Sequence, residues 1–128
     1  MIYRDPEPYS KQEIEDAVKS KDDNQIVDMM LGVAFNEPDY DVAFKVISQF
    51  ANSKSDRLRD ITVLCIGHLA GFHKHVYVYQ VAEIINNALA DESKDVRIRV
   101  QDALSDIRGC CPRQYAEMKH LLVNVNPQ

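Results

Sequence analysis

Two stretches of this sequence share one outline, and that repetition limits the fold more than any overall composition does. Ala88 to Ile107 (ALADESKDVRIRVQDALSDI) reads as a helix end, a short polar turn and the start of a second helix. Ala51 to Leu69 (ANSKSDRLRDITVLCIGHL) reads the same way. Placing Leu58-Arg59 on Val96-Arg97, 38 positions later, sets Thr62, Cys65, Ile66 and Leu69 on Val100, Ala103, Leu104 and Ile107, and Ile47 on Ile85. Apolar positions therefore meet apolar positions. A pair of helices cannot bury its apolar face alone, so such pairs stack, share one core and end in atypical caps. A weaker echo sets Leu31-Gly32 beside Ile66-Gly67 and Leu104-Ser105. A small residue there would let a neighbouring helix come close.

Apolar periodicity predicts seven helices. Ser10 and Glu13 form a capping box for a first helix over 11–20. Ile26, Met29, Met30 and Val33 stripe the second, and the two methionines read as core rather than as a partner groove. Pro38 falls near the start of the third, which presents Ala43, Val46, Ile47, Phe50 and Ala51 on one face. Ser55 caps the fourth, with Leu58, Ile61, Thr62, Cys65, Leu69 and Phe72 on one side and Gly71 as its stop. His75 to Val81 is rich in β-branched and aromatic residues and would suit a strand. With no second strand to pair its backbone groups, the segment reads instead as the start of a fifth helix. The sixth runs from about Lys94 to Arg108 and ends at Gly109. Pro112 opens the seventh, with Tyr115, Met118, Leu121 and Leu122 inward. Residues 1–9 form an extended lead-in, and 124–128 a frayed tail. At 128 residues the whole chain is expected to form one domain with its own core.

Leu89, Asp91, Asp95, Val96-Arg97, Val100, Ala103 and Leu104 closely resemble the HEAT-repeat pattern, in which an Asp and an Arg flank the turn between antiparallel helices. The resemblance is clearest in that repeat, fair over residues 40–70 and weakest over residues 10–35. It implies an all-α fold, a short HEAT/armadillo-like right-handed superhelix of about seven helices. The second helix of each pair would line a concave face. Folds of this kind are usually binding scaffolds rather than catalysts.

The residues that carry chemistry elsewhere are poorly placed for it here. There is no Gly-rich phosphate loop, Gly-x-Ser-x-Gly or Cys-x-x-Cys, so nothing supports an enzyme, and no cofactor is expected. His68, His73 and His75, with Cys65 and Asp60 nearby, could suggest zinc. Two of these histidines fall in a loop, however, and no carboxylate stands at a fixed spacing, so they read as solvent-facing side chains and no metal is expected. Cys110-Cys111 precede a helix N-terminus, which would favour a thiolate. No histidine is close in sequence, and the pair reads as a turn between helices. Three cysteines are an odd number and argue for a reducing compartment rather than a disulfide framework.

Charge carries the remaining signal. The net charge is −5, and residues 1–41 hold 4 basic and 11 acidic side chains. Such a field argues against nucleic acid as the direct ligand and favours a basic partner. Asp22, Asp23, Asp28, Asp60, Asp102 and Asp106, together with His68, fall on the second helices of the pairs and are the candidate partner-binding residues. The competing reading is ordinary solvation, with Arg57, Arg59, Arg97 and Arg99 neutralising much of the charge. A small acidic solenoid looks like a bacterial immunity protein, several of which resemble short HEAT-type solenoids. These neutralise a toxic nuclease domain by covering its active site. The resemblance implies a protein-binding module for a basic toxin domain, in the setting of contact-dependent growth inhibition, monomeric without its partner. The alternative is a general scaffold or adaptor subunit of a larger complex. No apolar run of about 18 residues is present, and the acidic start lacks a signal peptide's basic and apolar regions. A cytoplasmic protein with no membrane contact is therefore expected.

Overall fold

The computed structural model describes residues 6–123, so the first five residues of the expected lead-in and the expected tail at 124–128 lie outside the described residues. The fold is all-α: α1 (Lys11–Ser20), α2 (Asp23–Asn36), α3 (Tyr40–Ser48), α4 (Asp56–His73), α5 (Val78–Leu89), α6 (Lys94–Cys110) and α7 (Pro112–Met118), followed by a 3-10 turn at Lys119–Leu121. Among the described residues no helix is long and apolar enough to cross a membrane.

Side-chain caps fix most helix starts by accepting from first-turn amides that have no partner within the helix. Ser10 and Glu13 form the full capping box of α1. Asp22, Asp39, Ser55 and Ser93 cap α2, α3, α4 and α6. Pro38 stands near the start of α3, just before the Asp39 cap. Two boundaries differ from the sequence expectation. Gly71 and Gly109 lie inside their helices. α4 runs on because His73 packs edge-on against Tyr40, with ring centroids 5.5 Å apart, and Lys74 takes the left-handed cap at φ 54. α6 runs on until Pro112, which lacks the N–H needed to continue it.

The segment between α4 and α5 explains its own ambiguity. Val76 is fully buried in extended backbone, without a neighbouring strand. Its N–H donates to Gln114 Oε1 at 3.1 Å, and its carbonyl accepts from Gln114 Nε2 at 3.1 Å. The N–H of Tyr77 donates to the Tyr40 hydroxyl at 3.1 Å. Side chains of α3 and α7 thus do what a second strand would have done.

Helix α4 lies at the centre. It packs between α2 and α6 in one layer, while α3 and α5 cover it from the other side and α7 closes on α5 and α6. Its buried face carries Leu58, Thr62, Cys65, Ile66 and Leu69, as the periodicity predicts. Phe72, expected inward, is 53% exposed, because it sits at the edge of that stripe. Leu121, also expected inward, is partly exposed in the 3-10 turn. Close approach of α4 and α6 depends on Gly67. A Cβ there would stand 2.7 Å from Asp106 Oδ2 and 3.2 Å from Ala103 Cα. The echo at Gly32 serves another purpose, since a Cβ there would strike the Glu7 carbonyl and the Tyr9 ring of the lead-in. Ser105, the third position of the echo, is exposed.

The 38-residue register of the sequence holds at the level of single hydrogen bonds. Ser53 Oγ accepts from the N–H of Ser55 at 3.1 Å, and Asp91 Oδ1 from the N–H of Ser93 at 2.8 Å. Arg59 donates to the Ser53 carbonyl at 2.9 Å, and Arg97 to the Asp91 carbonyl at 2.6 Å. Arg59 also reaches forward, gripping Asp91 of the next turn through Nε at 2.8 Å and Nη2 at 3.1 Å. The two side chains are only 13% and 10% exposed, and each holds the other's pKa on the charged side: Asp91 lowered, Arg59 raised.

Three outcomes follow from this packing. Asp91→Ala leaves a half-buried guanidinium without its acceptor and is expected to cost about 3 kcal/mol, read as a lower urea midpoint. Gly67→Val forces α4 and α6 apart and is expected to cost about 2 kcal/mol in the same assay. Burial lowers the pKa of His73 below 6.5, against the opposing charge of Asp39, and its buried Nε2 has no hydrogen-bond partner among the described residues. The folded protein then binds fewer protons than the unfolded chain, so stability is full above pH 6.5 and falls as pH drops through the folded-state pKa. The melting temperature should fall between about pH 7.5 and about pH 5.5, and His73→Phe should narrow that difference.

Candidate protein-binding face

Each helix of the central layer has one stripe left open by its neighbours. On α2 the stripe is Asp28, Leu31 and Phe35, and on α4 it is Asp60, Leu64 and His68. On α6 it is Arg99, Asp102 and Asp106. Because α4 packs against both other helices, the three stripes adjoin.

Contacts across the seams tie them into one surface. Phe35 of α2 packs on His68 of α4, with ring centroids 4.6 Å apart. Arg57 Nη1 donates to Asn24 Oδ1 at 2.6 Å. Arg99 Nε donates to Asp60 Oδ1 at 2.8 Å, and its Nη1 lies 3.4 Å from Asp102 Oδ2. The hydrogen bond to Asp60 raises the Arg99 pKa. The Asp106 carboxylate lies over Gly67. Of the four arginines expected to neutralise the surface, Arg59 and Arg97 are drawn into the turns, and only Arg57 and Arg99 remain on this side. Asp28, Asp102 and Asp106 stay exposed.

The residues singled out in the sequence therefore divide. Asp28, Asp60, His68, Asp102 and Asp106 come together on the open face. Asp22 and Asp23 stand at the N-terminal turn of α2. Asp22 caps the helix by accepting from the N–H of Asn24 at 3.3 Å, and Asp23 accepts from the Ser55 hydroxyl at 2.6 Å. Phe35 and Phe72 were not assigned to the surface, yet they are 40% and 53% exposed. The available signal was that Phe35 falls outside the Ile26, Met29, Met30 and Val33 stripe, and that Phe72 stands one turn beyond His68.

The histidines do not converge. His68 faces Phe35, whereas His73 and His75 both stand edge-on to Tyr40, and His75 Nδ1 lies 3.2 Å from Gln114 Nε2. Among the described residues, no group of three or more His, Cys, Asp or Glu side chains is arranged to hold a metal ion. The Cys65 and Cys111 thiols face inward. Burial pushes Cys65 up to about 12, and its Sγ lies 3.9 Å from the Met30 carbonyl. Burial also raises Cys111, whose Sγ lies 3.6 Å from the Ala70 carbonyl, opposite to the lowering that a helix N-terminus alone would give.

No protein-family model matches the sequence, and no curated protein matches it. A solved structure does match: a chain of the CDI complex from Cupriavidus taiwanensis LMG 19424 is 32% identical, over 84% of this chain and 96% of that one, with a TM-score of 0.71. The likeness thus joins sequence to fold along nearly the whole of the other chain. This chain belongs to the same family as that component of the CDI complex.

Proposed function

We propose that the protein is an immunity protein, which binds a cognate toxin domain and neutralises it in contact-dependent growth inhibition. The observation that carries this reading is the 32% identity to a component of a CDI complex. The chemistry of the chain favours the inhibitor over the toxin. Its Cys65 and Cys111 thiols are raised and turned to backbone carbonyls, and His73 and His75 serve an aromatic contact around Tyr40.

The toxin is a nuclease in this reading. A nuclease holds phosphates with basic residues, and the open face of α2, α4 and α6 presents carboxylates to such a surface. Complementary charge of this kind speeds association and rejects wrong partners. The layered packing supports a HEAT-like superhelix bent toward that face. α2, α4 and α6 are in contact, whereas α3 and α5 lie apart over a cavity of about 250 Å³ lined by Phe44, Ser48, Gln80 and Ile84. The chain acts as one domain, monomeric until it meets the toxin, in the cytoplasm. The partner-binding residues are Asp28, Asp60, His68, Asp102 and Asp106, with Asp22 and Asp23 at the edge.

The test is to co-express the protein with the toxin domain encoded beside its gene. Survival of the cells and a one-to-one complex on size exclusion are expected. Killing in the presence of this protein, or killing by this protein alone, would overturn the reading. Asp28→Lys combined with Asp102→Lys should slow association about tenfold at low salt, with a smaller effect at high salt as screening shortens the field. Stopped-flow measurement at two ionic strengths reads both.

A further inference from the structure

We infer that Phe35, His68 and Phe72 form the apolar anchor of the open face, and that its occupant is a cationic protein surface carrying one apolar side chain among lysines and arginines. The inference rests on the immunity reading and names the part of the face that holds the toxin.

Phe35 and Phe72 are among the large hydrophobic residues left exposed, at 40% and 53%. They come from different helices, one on either side of His68 in the packing. Phe35 packs on His68 at 4.6 Å, and Phe72 stands one turn beyond His68 on the same side of α4. Aromatic side chains that bury large area at little cost in side-chain freedom are the usual centres of binding energy. A polar rim that excludes water completes such a centre, and here the rim is anionic. Asp28 lies two turns before Phe35 on α2, and Asp60 two turns before His68 on α4. Asp106 of α6 lies over Gly67, the residue before His68.

The rim decides the occupant. On α6, Arg99 is already engaged by Asp60 and Asp102. The exposed carboxylates of Asp28 and Asp106 beside an apolar centre favour a positive surface. They oppose a second copy, because a two-fold dimer would set this anionic face against itself. Among the described residues of the lead-in, Glu7 and Tyr9 lie on α2 at Gly32.

The experiment measures the affinity of the purified full chain for its cognate toxin domain, inactivated for handling, by calorimetry. Phe35→Ala and Phe72→Ala should each raise Kd about tenfold or more, and the double variant further. Tyr79→Ala, on α5, should leave Kd unchanged. Thermal melts of each variant within a few degrees of the parent exclude unfolding as the cause. If the parent binds and the double variant binds equally well, the anchor is wrong while the immunity reading stands. If the parent does not bind the toxin domain, both fall together. Concentration-dependent self-association that the double variant abolishes would assign the seam to a second copy and overturn the inference.

Discussion

The buried pair between Arg59 and Asp91 is the constraint on which the rest of the structure depends. Two helix pairs can share an apolar core in many registers, since burial has no direction. A bidentate guanidinium–carboxylate contact has direction in two dimensions. By gripping Asp91 and the Ser53 carbonyl together, Arg59 sets the turn before α4 against the turn before α6. Once the turns are set, Gly67 meets Ala103 and Asp106, and the helix faces fall into place. The pair is an instrument of register more than of net stability, because burying two charges offsets much of their attraction.

That use of arginine also shapes the surface. Four arginines stand close in sequence to the acidic residues, and a count of charges would have them cancel. Folding sorts them by reach. Arg59 and Arg97 bend back to carbonyls of their own turns. Arg57 and Arg99 reach sideways across helix seams. The carboxylates of Asp28 and Asp106 are left facing outward, so the face is negative because half of its counter-charge has been drawn into the scaffold.

Much of this was readable from the residues alone. Caps at Ser10 and Ser55 place their helices, because each acts within three residues. The repeat is readable because Leu58, Cys65 and Leu69 recur as Val96, Ala103 and Ile107 at constant spacing. What escaped depends on contacts distant in sequence. Gly71 and Gly109 resemble helix stops, yet packing of His73 on Tyr40 carries α4 past the first of them. Phe72 has the spacing of a core residue but lies at the stripe's edge, where only the position of α2 decides whether it is covered. Gln114 satisfies Val76 from 38 residues away, a contact no local pattern announces. The acidic face was legible as a set of aspartates. Its aromatic centre was not, because Phe35 and His68 meet only once α2 and α4 are packed.

The segment over Gly32 bears on what else α2 can meet. Stacked helix pairs are open-ended by construction, and each new pair finds a groove on the last. Here residues 6–9 lie along α2, with the Asn36 amide holding the Pro6 carbonyl at 2.9 Å and the Tyr9 ring seated where a side chain at position 32 would have stood. A missing methyl group thus gives Tyr9 a place on α2 that a further packed helix would otherwise need, so one glycine decides what covers that part of α2.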